Sequence, residues 1–156
     1  MQMMLRDRDY PELLEELKGR KVLIWTCNTC ARLCDVGGRE NAEALAGRLR
    51  EDGVEVVGIS STGASCIASN VRRCREDVPD GYDVVVALTC DIGSQLAGTV
   101  FGRPVVNPVA TLGTGYRDDL RACIIFGRGG DGDVSLEKEA ERLGLDTGPI
   151  VRPPSI

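Results

Sequence analysis

The sequence predicts an α/β fold, a three-layer parallel sheet of Rossmann-like or flavodoxin-like type in a single domain. Two short runs, Lys21 to Thr26 (KVLIWT) and Asp83 to Leu88 (DVVVAL), are nearly all apolar and rich in β-branched residues, the pattern of strands buried on both faces. Between them, Arg39 to Glu51 places Ala42, Leu45, Ala46 and Leu49 at i, i+3, i+4 and i+7, one face of a helix. Strands and helices alternating at this spacing are what right-handed parallel crossovers require. A chain of 156 residues supplies one core of ordinary size.

The remaining elements follow in order. Pro11 to Lys18 predicts a short helix, with proline suited to its first turn and Leu13, Leu14 and Leu17 on one face. Gly53 stands where the Arg39 to Glu51 helix should stop. Val54 to Ile59 is expected as the second strand, Ile67 to Glu76 as a short helix, and Gly93 to Phe101 as another. Pro104 to Val109 and Ala122 to Phe126 are expected to add further strands to the sheet. Gly127 to Asp133 has the composition of a turn, and Leu136 to Leu143 that of a terminal helix. Residues 1–147 thus form a cysteine-rich α/β domain and 148–156 a proline-bearing tail.

Composition narrows the chemistry. Histidine is absent, which excludes Ser-His-Asp and Cys-His nucleophile pairs, His-ligated zinc and histidine general bases. The net charge of −5 has the wrong sign for a general phosphate-backbone binder, so no nucleic acid is expected as partner. The first ten residues, MQMMLRDRDY, contain no apolar signal region, and no apolar run approaches a membrane span. A cytoplasmic protein without a membrane partner is expected. Seven cysteines in such a chain point to metal ligands or redox groups, not to a disulfide framework.

Their placement is ordered. Cys27, Cys30 and Cys34 (TCNTCARLC) follow the first strand, Cys66 the second and Cys90 the third. In a parallel sheet the strand C-termini share one edge, where open α/β folds bind ligands, so these five thiols are expected to converge. The C-x-x-C-x-x-x-C spacing lets thiolates bend round one metal centre, and Gly37 with Gly38 lets the backbone leave it tightly. Four thiolates satisfy a [4Fe–4S] cluster or tetrahedral Zn²⁺. With a single C-x-x-C pair and ligands spread over three loops, the cluster is favoured and zinc is the alternative. Cys123, between Ala122 and Ile124, is expected to be a buried strand residue that ligates nothing. Cys74 (VRRCRED) is either an extra ligand or a surface thiol.

The run Lys21 to Gly38 (KVLIWTCNTCARLCDVGG), then Cys66, then Asp83 to Ser94 (DVVVALTCDIGS), resembles the small subunit of acetogen-type methylenetetrahydrofolate reductases, also known as the methylenetetrahydrofolate reductase C-terminal domain family. The similarity spans roughly Pro11 to Tyr116 and includes Pro104 to Gly113 (PVVNPVATLG). Ser60 to Ser65 (SSTGAS) departs from the more charged approach to the fourth cysteine, and Cys74 and Cys123 fall outside the pattern. The resemblance implies a cysteine-bound metal or iron–sulfur protein at Cys27, Cys30, Cys34, Cys66 and Cys90. It further implies a flavoprotein reductase subunit as partner, a low-potential electron donor, and a role in one-carbon metabolism on folate or another pterin.

Other signals are weaker. Gly127 to Gly132 (GRGGDG) lacks nucleotide-binding spacing, while Thr62 to Ser65 and Leu112 to Tyr116 (LGTGY) are expected as tight turns on the crevice side. Arg32, Arg72 and Arg73 are expected to be solvated, Trp25 to be core, and Asp91 to lie close to the site beside Cys90. Three functions compete: an iron–sulfur electron-transfer subunit without bond chemistry of its own, a zinc-stabilised assembly or binding module, and a small thiol-based redox enzyme. In the first, the edge carrying Asn28 to Gly38 and Leu112 to Tyr116 is expected to be partly exposed for docking.

Overall fold

A computed structural model describes residues 2–7, 9–117 and 123–125, with side-chain surroundings over residues 9–111. The elements run β1 (Gln2–Asp7), α1 (Tyr10–Leu17), β2 (Lys21–Cys27), α2 (Cys30–Leu33), α3 (Arg39–Glu51), β3 (Glu55–Thr62), α4 (Ala68–Arg75), β4 (Val84–Leu88), α5 (Asp91–Phe101), β5 (Val105–Val106), β6 (Val109–Arg117) and β7 (Cys123–Ile125). The α/β class expected from the sequence is present. Four parallel strands form one sheet in the order β3-β2-β4-β5.

The two runs that looked buried on both faces are the two central strands. Val22 to Trp25 and Val84 to Ala87 are fully buried, paired in register from Val22 with Val84 to Thr26 with Leu88. Alternate residues then feed two cores. Val22, Ile24, Val84, Val86 and Leu88 pack with Leu13 and Leu17 of α1 and Ala42, Ala46 and Leu49 of α3. Leu23, Trp25, Val85 and Ala87 pack with Val71 of α4 and Ala97, Val100 and Phe101 of α5. Complete burial of one such aliphatic side chain contributes about 1.5–3 kcal/mol, which is why these strands need no polar alternation.

The chain's ends depart from the expected sheet. β6 and β7 do not extend the parallel sheet; with β1 they form a separate antiparallel sheet in the order β1-β6-β7. Gln2–Asp7, for which the sequence suggested no element, pairs along β6 with a register shift between Met4 and Leu5. The expected strand Pro104 to Val109 is split, because Asn107 Oδ1 accepts the Val109 N–H at 2.9 Å and Pro108 has no N–H to give. Leu112 to Tyr116 is accordingly strand, not turn. Cys123 lies in a strand as expected, while its side chain falls outside the described surroundings. The turn at 127–133, the helix at 136–143 and the tail at 148–156 lie outside the described residues.

Candidate functional site

Three loops leave the C-terminal edge of the parallel sheet and are tied to one another. The Asn28 N–H donates to Thr62 O at 2.8 Å, and Thr29 Oγ1 donates to Gly63 O, joining the loops after β2 and β3. Trp25 Nε1 donates to Ser65 Oγ at 2.8 Å, and Ser65 Oγ donates to Gly93 O at 3.2 Å, joining the β3 loop to the first turn of α5. A side chain at Gly93 would put its Cβ 2.9 Å from Ser65 Cβ, so glycine is what allows this approach. The Asp91 N–H donates to Thr111 Oγ1 at 3.0 Å, bringing the start of β6 to the same edge.

The cysteine loop is closed by Thr26. Its hydroxyl accepts the Gly38 N–H at 2.7 Å where α3 begins. Gly38 has φ +84°, a left-handed value that lets the backbone turn from the loop into the helix. Between these anchors the four-residue α2 carries Cys30 at its first position, with Cys34 capping its end.

The thiols occupy unlike environments. Cys27 and Cys90 are buried at 7% and 9% exposure, at the rim of the core formed with α1 and α3, and half-buried Cys30 and Cys34 pack against that core. The Cys27 thiol reaches Gly63 O at 3.8 Å. Burial pushes the Cys90 thiol above its ordinary value; backbone N–H groups of Gly93 and Ile92 oppose this, while Cys30 and Cys27 beside it add to the rise. Cys27 and Cys90 belong to one buried core, against which Cys30 packs. Cys66 is exposed, beside the Ser65 clamp, and half-buried Cys74 faces Ser61 O at 3.6 Å from α4. Arg72 and Arg73 are exposed as expected, and Trp25 is core, set edge-on to Phe101 with centroids 5.1 Å apart.

Thiolates are the right donors for an iron–sulfur cluster or zinc. As placed, no group of three or more Cys, Asp or Glu side chains among the described residues is gathered to hold a metal ion. Residues that the sequence reading missed are the ones that tie the loops, Thr26, Thr29, Ser65 and Gly93. Also missed was the apolar rim: among the described residues the exposed large hydrophobics are Leu33 (45%), Ile67 (47%) and Ile92 (56%), each within two residues of Cys34, Cys66 or Cys90. Their adjacency to the cysteines was a signal already present in the chain.

No protein-family model, curated protein or solved structure matches the chain.

Proposed function

We propose that this chain is an iron–sulfur electron-transfer subunit serving a flavin-dependent methylenetetrahydrofolate, or other methylene-pterin, reductase. The observation that carries the reading is that Cys27 ends β2, Cys30 begins α2 and Cys90 caps α5 after β4, all at one edge of the parallel sheet, with Cys27 and Cys90 in one core and Cys30 packed against it. There the chain leaves β2 for β3 on one side while β4 lies on the other, the switch point at which open α/β sheets take ligands. Four of Cys27, Cys30, Cys34, Cys66 and Cys90 would supply the thiolates of a [4Fe–4S] cluster, which when bound supplies one-electron transfer. The chain's own residues hold the loops together through Thr26 and Ser65 and expose Leu33, Ile67 and Ile92 around the thiols.

Exposed apolar residues concentrated at one edge suit a docking surface for a flavoprotein subunit. The strand order β3-β2-β4-β5 supports a three-layer, flavodoxin-like domain, since its parallel strands follow the succession 2-1-3-4. The free thiols of Cys27, Cys30, Cys34, Cys66, Cys74 and Cys90 suit a cytoplasmic setting. No helix among the described residues is long and apolar enough to cross a membrane.

The test is flavin reduction by a low-potential donor, with the chain co-purified with its flavoprotein. The expected result is reduction that requires the chain and is lost with Cys90→Ser. Reduction equally fast without the chain, or with Cys90→Ser, would overturn the electron-transfer role.

A further inference from the structure

A polar pocket of about 340 Å³ lies between the C-terminal end of β3 and α4, lined by Ser61, Thr62, Gly63, Asn70, Arg73 and Cys74. Asn70, Arg73 and Cys74 stand at i, i+3 and i+4, so one face of α4 presents an amide, a guanidinium and a thiol to the strand end. The lining holds no carboxylate. Arg72, Arg73 and Arg75 make no ion pair or side-chain hydrogen bond with any described residue, in a chain whose net charge is −5. Arginines in the last turn favour the helix dipole, and that applies to Arg72, Arg73 and Arg75 alike. It does not account for Arg73 lying against two hydroxyl-bearing residues and an amide in a cavity.

Two other pockets show the contrast. The pocket of about 200 Å³ beside Leu13 and Leu45 also contains an arginine, but Arg48 is already stacked 3.5 Å over the Tyr10 ring. The second, also about 200 Å³, is lined by Asp9, Glu12 and Glu16 and would repel anions.

We infer that the β3–α4 pocket binds the phosphate group of a small phosphorylated ligand through Arg73, Asn70 and the hydroxyl of Thr62. A guanidinium fork with neighbouring neutral donors is the chemistry that phosphate selects. The volume exceeds a bare phosphate and falls within the range of small-molecule sites. None of the lining residues is among the five thiols assigned to the cluster, so this inference stands or falls separately from the electron-transfer reading.

The experiment is an amide-resolved NMR titration of the full chain with inorganic phosphate, adenosine 5′-monophosphate and adenosine. Saturable shifts at residues 61–63 and 70–74 with both phosphorylated probes, and none with adenosine, are expected. Tighter binding of the monophosphate would identify an organic phosphate as the source; equal binding would identify free phosphate. Arg73→Gln should weaken binding about tenfold or more, the loss of one charge-assisted hydrogen bond, while Arg72→Gln should leave it nearly unchanged. Phosphate should also slow alkylation of Cys74 without affecting exposed Cys66. Shifts that never saturate, or a folded Arg73→Gln chain that binds equally well, would overturn the assignment.

Discussion

The two faces of the parallel sheet end differently. On the face covered by α4 and α5, the core closes on itself with Trp25 against Phe101, both essentially buried. On the face covered by α1 and α3, the core runs upward into Cys27 and Cys90 and stops at thiols and half-exposed Cys30 and Cys34. The first face is finished by aromatic packing. The second is finished by groups that pack as small hydrophobes when neutral and ligate as thiolates, and one hydrogen-bond chain, from Trp25 through Ser65 to Gly93, ties the aromatic face to the start of α5, where Cys90 stands.

The largest effect should come from the aromatic face. Trp25→Ala removes a fully buried ring and should lower unfolding free energy by about 3–5 kcal/mol in denaturant titration. A loss below 1 kcal/mol would mean that this face does not carry the core. Gly93→Ala attacks that hydrogen-bond chain, since its Cβ would fall 2.9 Å from Ser65 Cβ and 3.0 Å from Thr89 Oγ1. It should cost about 1–3 kcal/mol by overpacking and free Ser65 from α5, visible as faster amide exchange at residues 63–67.

The thiol face should respond in chemistry more than in stability. Cys90→Ser in the metal-free chain should shift unfolding by only about 1 kcal/mol, because the Gly93 and Ile92 N–H groups remain to bond the smaller hydroxyl. In the same metal-free chain, alkylation of Cys90 should be slow and rise late with pH, since burial holds its thiol above the ordinary value. Cys66, exposed, should react first.

The smallest effect lies beneath the thiol face, where the Tyr10 hydroxyl donates to Asp52 Oδ2 at 2.6 Å. Burial, then that bond and the Asp52 charge, push the Tyr10 hydroxyl up to about 12 from 10.0. A raised value means the neutral form is favoured in the folded chain, so the contribution is complete below pH 10.0 and lost as pH rises through about 12. Tyr10→Phe should flatten the stability profile across that interval, as followed by urea unfolding; an unchanged slope would show the bond to be without effect.

The parallel sheet was legible because KVLIWT and DVVVAL cannot be buried on one face only, and strand type follows from that. Loop placement of the cysteines followed in turn, since each comes directly after such a run. The antiparallel sheet was not legible: Gln2–Asp7 (QMMLRD) does not alternate cleanly, and its partner begins at Val109, so only tertiary pairing defines it. Side-chain direction within the site was equally hidden. Cys66 and Cys90 both follow strands, yet one is exposed and the other buried, because Ser65, one residue earlier, takes the inward position and its hydrogen bonds.

The most direct test of the account is metal and sulfide analysis of the chain purified without oxygen, for the native sequence and for single Cys→Ser variants. Iron and acid-labile sulfide are expected in equal amounts with little zinc, lost together in Cys27→Ser, Cys30→Ser and Cys90→Ser and retained in Cys74→Ser. Zinc without sulfide, or iron that survives Cys90→Ser, would contradict it.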